Sequence, residues 1–125
     1  MLNSEVNKEN LKIMVVRFYS KILNDDIVGP FFIQKLGDDL KSEEWVTHIE
    51  LLTNFWASIA IGDTEYRGNP FAPHMHLNGL SRAAFTQWLV VFFQTVDSAY
   101  EPQIASFFKQ RSEIMAGNFM RNLGL

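Results

Sequence analysis

The chain contains no cysteine. That single absence excludes disulfides, iron–sulfur clusters, thiolate ligation of a metal and thioether attachment of a prosthetic group. Long apolar runs are missing as well. The longest, Trp88-Leu89-Val90-Val91-Phe92-Phe93, is far too short to span a bilayer. The opening Met1-Leu2-Asn3-Ser4-Glu5-Val6 lacks the basic-then-apolar order of an export signal. The expectation is a cytoplasmic protein with no membrane partner. Lys and Arg form no basic stripe and the formal net charge is −3, so nucleic acid is not an expected partner. Neither Gly-x-Gly-x-x-Gly nor Gly-x-Ser-x-Gly occurs, which leaves no signature of a flavin or nicotinamide site or of a nucleophile elbow. Strand-like alternation is absent too, and an all-α fold is expected.

What is present fits one domain over residues 1–125, a size that buries roughly two-thirds of the surface its unfolded chain exposes. Apolar residues make up 47%, and Phe occurs 11 times against three each for Trp and Tyr. Flat rings can wall a flat cofactor, although filling a core is their commoner use. A first helix is expected from Asn7 as N-cap to about Asn24. Its inner stripe is Leu11, Met14, Val15, Phe18, Tyr19 and Ile22, with Lys12, Ser20 and Lys21 outside. Asp25-Asp26 closes it. Gly29-Pro30 opens a short helix through Phe31, Phe32 and Leu36. Ser42 caps the next helix, whose stripe is Trp45, His48, Ile49, Leu52, Phe55, Trp56 and Ile59, ended by Gly62. Ser81 caps a further helix with Phe85, Trp88, Leu89, Phe92 and Val96 inward. After the break at Glu101-Pro102 the last helix carries Ile104, Phe107, Phe108, Arg111, Met115, Asn118 and Phe119.

The chemistry concentrates in three histidines and their company. The segment Tyr66-Arg67-Gly68-Asn69-Pro70-Phe71-Ala72-Pro73-His74-Met75-His76-Leu77 is apolar and broken by prolines. An imidazole at His74 held by Phe71, Met75 and Leu77 would be dry, neutral and a good axial ligand for haem iron. The bland alternative is a half-buried loop histidine bonded to a carbonyl. His48 lies on an apolar stripe one turn after Trp45 and faces inward. Tyr19 and Trp88 do the same on their helices. Each alone reads as a core residue with a bonded polar tip. Together, four elements aim polar-tipped rings at one small interior, where an unpaired tip costs about 1–3 kcal/mol. A shared ligand held by iron could be their common acceptor. A zinc site from His48, His74 and His76 competes, but structural zinc favours cysteine and His-x-His in a proline-broken segment has no defined facing geometry.

With these residues in view the chain resembles the truncated haemoglobins, most closely their third group. The resemblance runs from about Asn7 to Leu123. It rests on Phe18-Tyr19, Gly29-Pro30-Phe31-Phe32, Glu43-Glu44-Trp45-Val46-Thr47-His48 and Asn54-Phe55-Trp56. Tyr66-x-Gly68-x-Pro70-x-x-x-His74 and Phe85-x-x-Trp88 complete it, together with the lack of any Gly-Gly pair. It implies a two-over-two helical sandwich around non-covalently held haem b, with His74 as the metal ligand. Tyr19, His48 and Trp88 would be the polar groups of the distal side. Phe31, Phe32, Leu52, Trp56, Phe71, Leu77 and Phe92 would line the cofactor. His76 would lean toward a propionate or solvent, and Lys35, Arg67 and Arg82 are the candidate cations for the propionates.

The implied ligands are dioxygen and other small species such as nitric oxide, carbon monoxide and cyanide. Two hydrogen bonds to a ligand that gains negative charge, each worth about 1.5–3 kcal/mol, favour tight retention over delivery. Three classes of function follow. One is redox chemistry, either nitric oxide oxidation or a peroxidase-like reaction with His48 moving the proton, fed by an unidentified reductase. Another is storage or sensing of dioxygen or nitric oxide without turnover. The last is a cofactor-free helical interaction module. Monomer and weak dimer both stay open.

Overall fold

Helix boundaries in this chain follow its capping chemistry. The computed structural model describes residues 1–66 and 79–125, and five helices form among them. Helix α1 (Lys8–Leu23) starts at a reciprocal capping box: Asn7 Oδ1 accepts from the Asn10 N–H at 2.9 Å and Asn10 Oδ1 accepts from the Asn7 N–H at 3.1 Å. Helix α2 (Gly29–Leu36) carries Pro30 in its first turn and ends at Gly37, whose φ of 82° suits glycine. Helix α3 (Glu43–Ala60) is capped by Ser42 Oγ, which accepts from the Trp45 N–H at 3.3 Å, with Glu43 and Glu44 at its positive end. Helix α4 (Arg82–Ala99) begins under the Ser81 hydroxyl, and α5 (Pro102–Asn122) begins at Pro102.

Helix α1 packs on both α3 and α4, α4 packs on α5, and α2 rests on α1. The result is a two-over-two sandwich with α1 and α3 in one layer and α4 and α5 in the other. The inner faces follow the expected stripes. Leu11, Met14, Phe18 and Ile22 meet Trp45, Ile49, Trp56, Phe92, Val96 and Phe108 in one cluster. Phe85, Ala116 and Phe119 close a second one between α4 and α5. One expected inner residue is outside: Arg111 is exposed, its guanidinium lying 5.5 Å from the centroid of the Phe107 ring. Burying an unpaired guanidinium would cost more than that stripe position returns. No helix among the described residues is long and apolar enough to cross a membrane.

Polar groups inside the core are bonded. The Tyr100 hydroxyl donates to Asn10 Oδ1 at 2.6 Å, while Asn10 Nδ2 donates to the Glu5 carbonyl at 3.0 Å. Burial pushes the Tyr100 phenol well above its ordinary range, so it stays a donor. Thr53, Thr95 and Ser112 each return their hydroxyl to a carbonyl of the preceding turn. Asn3 ties the N-terminal segment to the α4–α5 junction, donating its N–H to the Ala99 carbonyl and accepting from the Glu101 N–H, both at 3.0 Å.

At the join between α1 and α2 the backbones approach more closely than at any other glycine among the described residues. A Cβ at Gly29 would stand 2.7 Å from the Ile22 carbonyl oxygen and 3.2 Å from that of Leu23, both main-chain atoms that cannot swing aside. Gly29→Ala is expected to cost about 1–3 kcal/mol, read as a lower midpoint in urea unfolding with an unchanged slope. Gly117, with open space around its Cβ position, is the control.

Candidate ligand pocket

The inner face of α1 puts Tyr19 where α2 and α3 converge. Its ring centroid lies 5.0 Å from that of Trp45, 5.0 Å from that of His48 and 5.5 Å from that of Phe32. Trp45 closes this aromatic box by donating its Nε1–H to the Gly37 carbonyl at 2.7 Å, which joins α3 to the end of α2. Inside the box Tyr19 Oη and His48 Nε2 share a hydrogen bond of 2.9 Å. Tyr19 is 4% exposed, and its burial raises the phenol far above its ordinary range. It therefore keeps its proton at any physiological pH and presents an O–H, never a phenolate.

Trp88 stands across from this box on α4. Its ring meets Phe18 edge-on at 5.5 Å and stacks on Phe92 at 5.4 Å, and Phe92 stacks in turn on Trp56 at 5.2 Å. Among the described residues the indole N–H finds no acceptor. Two apolar cavities flank this indole. The larger is lined by Val28, Phe31, Phe32, Leu80, Ala84, Phe85, Trp88 and Phe119. The smaller lies between α1, α3 and α4 and is lined by Met14, Val15, Phe18, Tyr19, Leu52, Trp56, Trp88 and Phe92.

The residues singled out in the sequence thus divide between two places. Phe31 and Phe32 line the larger cavity, Leu52, Trp56 and Phe92 line the smaller with Tyr19, and Trp88 borders both. Trp56 and Phe92, 2% and 1% exposed, form a stacked wall one layer behind Trp88. Phe71, His74, His76 and Leu77 lie outside the described residues, as does Arg67. Of the other candidate cations, Lys35 is exposed on α2, and Arg82 donates from Nη2 to the Leu125 carbonyl oxygen at 3.1 Å. Among the described residues no three His, Asp or Glu side chains converge on a metal position, and the alternative zinc set includes two residues outside them.

Val28, Leu80, Ala84, Phe85 and Phe119 were not singled out as cavity-lining residues. Phe85 and Phe119 sit on expected inner stripes, but helical period gives the face and not the cavity. The approach to the segment beyond residue 66 is anchored twice. Lys8 Nζ reaches Glu65 at 2.8 Å and Asp63 at 3.2 Å, and the Tyr66 ring packs on Phe55 at 5.2 Å.

A two-over-two helical sandwich, here with a tyrosine and a histidine bonded inside an aromatic box, is the fold of the truncated globins. Comparison with solved structures agrees: a chain described as group III truncated hemoglobin from Campylobacter jejuni superposes with a TM-score of 0.91 at 28% identity, covering 98% of this chain and 95% of that one. A curated relative from the same species, described as Group 3 truncated hemoglobin ctb, is 29% identical over 118 residues, 94% of this chain and 91% of its own length. Both matches make the chain similar to truncated hemoglobins of the third group. No family model matches it.

Proposed function

We propose that this chain binds haem b without a covalent bond, with His74 as the axial ligand, and that it takes dioxygen and related small ligands on the side of Tyr19, His48 and Trp88. The larger cavity supports the fit. Every side chain lining it is apolar or aromatic, the chemistry a porphyrin face requires. Haem, if bound, would supply an iron that takes up a diatomic gas and passes negative charge to it.

The chain's own groups do the rest. The observation that carries the reading is that Tyr19 and Trp88 border one apolar cavity, the first with a phenol held protonated by burial, the second with an N–H lacking an acceptor among the described residues. Hydrogen bonds from such donors to a charged acceptor are worth about 1.5–3 kcal/mol each. His48, bonded to Tyr19 at 2.9 Å, orients the phenol. It can also carry a proton between solvent and the pocket, being only half-buried.

Tight retention suits redox turnover better than delivery. Nitric oxide, dioxygen and one electron make one nitrate, the electron drawn from a separate reductase. The protein reconstituted with haem, reduced and oxygenated, is expected to decay at least about tenfold faster with nitric oxide than without it, followed by its visible spectrum. Equal decay rates would leave storage or sensing as the function. Failure to take up haem at all would overturn the whole reading.

A further inference from the structure

A second polar bridge lies away from the aromatic box. Asp25 occupies the turn between α1 and α2, where its Oδ1 accepts from the backbone N–H groups of Val28 at 2.8 Å and Ile27 at 2.9 Å. Its Oδ2 accepts from Gln87 Nε2 at 2.6 Å. Gln87 is on α4, immediately before Trp88. Desolvation pushes the Asp25 carboxyl upward, but these three hydrogen bonds outweigh it and hold the group below its usual range. The turn itself is rigid: the Gly29 N–H donates to the Asp25 carbonyl at 2.9 Å, and the tight approach of Gly29 to Ile22 leaves it no slack.

The location gives the bridge its meaning. Helix α2 packs on α1 but has no comparable packing on α4. The larger cavity lies in that gap, with Val28, Phe31 and Phe32 on one wall and Ala84, Phe85 and Trp88 on the other. Val28 is both a cavity residue and a backbone donor to Asp25, so the same bond pair that fixes the turn fixes one wall. Gln87 then ties that wall to the helix carrying the other. Charge-assisted hydrogen bonds of this length are among the stronger polar contacts available to a protein.

We infer that Asp25 and Gln87 are positioning residues that set the spacing of α2 and α4, and with it the grip on a flat cofactor and the placement of the Trp88 indole. The inference rests on the haem-binding reading for its consequence, although the bridge can be tested without haem. Gln87→Leu keeps the side-chain bulk and the helix but removes the donor. Asp25→Asn keeps both backbone contacts and, with the Gln87 amide turned over, keeps the bridge.

Haem is expected to pass from the Gln87→Leu protein to an excess of haem-free acceptor globin about tenfold faster than from the wild type, the lower end of what loss of a supporting partner costs at a cofactor site. Asp25→Asn is expected to stay within about twofold. The second readout is the indole N–H resonance of Trp88 in nitrogen-15-labelled, haem-free protein, identified by its disappearance in Trp88→Phe. It should shift in Gln87→Leu and hold in Asp25→Asn. Asp25→Ser, which keeps the turn contacts but cannot reach Gln87, should repeat the Gln87→Leu result and covers the case where that variant does not fold. An unshifted Trp88 resonance, or haem loss at the wild-type rate, in the variants lacking the bridge overturns the inference. If the wild type takes up no haem, the functional reading falls while the resonance still decides on the bridge.

Discussion

His74→Gly is expected to abolish the Soret absorption of the haem-reconstituted protein, while His76→Gly retains it. The difference follows from the two environments the sequence offers. In the sequence His74 follows two prolines and has Phe71, Met75 and Leu77 as near neighbours, a composition in which an imidazole would stay neutral with its lone pair free for iron. His76 lacks the upstream proline by which the family resemblance favours His74. Loss of an axial ligand should weaken haem binding by more than the roughly 10–100-fold that removal of an outer partner costs. Glycine leaves a hole of imidazole size. Added free imidazole is therefore expected to restore the band in His74→Gly and to do nothing in His76→Gly. The reverse pattern, with the band lost in His76→Gly, would move the ligand to position 76. Loss in both variants without imidazole rescue would point to a folding role for the segment.

The helices were legible in this sequence because their signals are local. Asn7, Ser42 and Ser81 each cap the helix that follows, and Pro30 and Pro102 sit in the first turns of theirs. The inward orientation of Tyr19, His48 and Trp88 was legible for the same reason, since a 3.6-residue period fixes a face. Which rings touch was not. Period alone puts Trp56 and Phe92 with Trp88, but only tertiary packing stacks them in sequence behind it. Bonds between distant residues left no local trace at all. Asn10 with Tyr100 and Asp25 with Gln87 are separated by 90 and 62 residues, and taken singly Asn10 reads as an ordinary cap residue and Asp25 as an ordinary turn residue. Arg111 shows the opposite failure. Its register is that of the inner stripe, yet its charge holds it at the surface, where its stem and guanidinium cover Phe107 instead.

Tyr19→Phe and Trp88→Phe are each expected to speed dioxygen release, by about 10–100-fold, because each removes one donor worth about 1.5–3 kcal/mol while keeping an aromatic side chain, the smaller phenyl in the case of Trp88. Phenylalanine preserves most of the packing of Tyr19 against Trp45 and Phe32, so the change isolates the hydroxyl. Release from the wild type should carry no titration of Tyr19 between about pH 6 and 9, since burial keeps that phenol protonated throughout. The double variant decides how the two donors cooperate. If both bond the same gas molecule independently, the two effects multiply. If Tyr19 is held in place chiefly through His48, at 2.9 Å, then His48→Leu should reproduce part of the Tyr19→Phe effect while Trp88→Phe stays independent of it. Stopped-flow displacement of dioxygen by carbon monoxide across these variants measures every term of that cycle. Unchanged release in both single variants would remove retention from the account and with it the case for redox turnover. A large effect confined to Trp88→Phe would mean that the Tyr19 proton is committed to His48, making the indole the sole donor to the ligand.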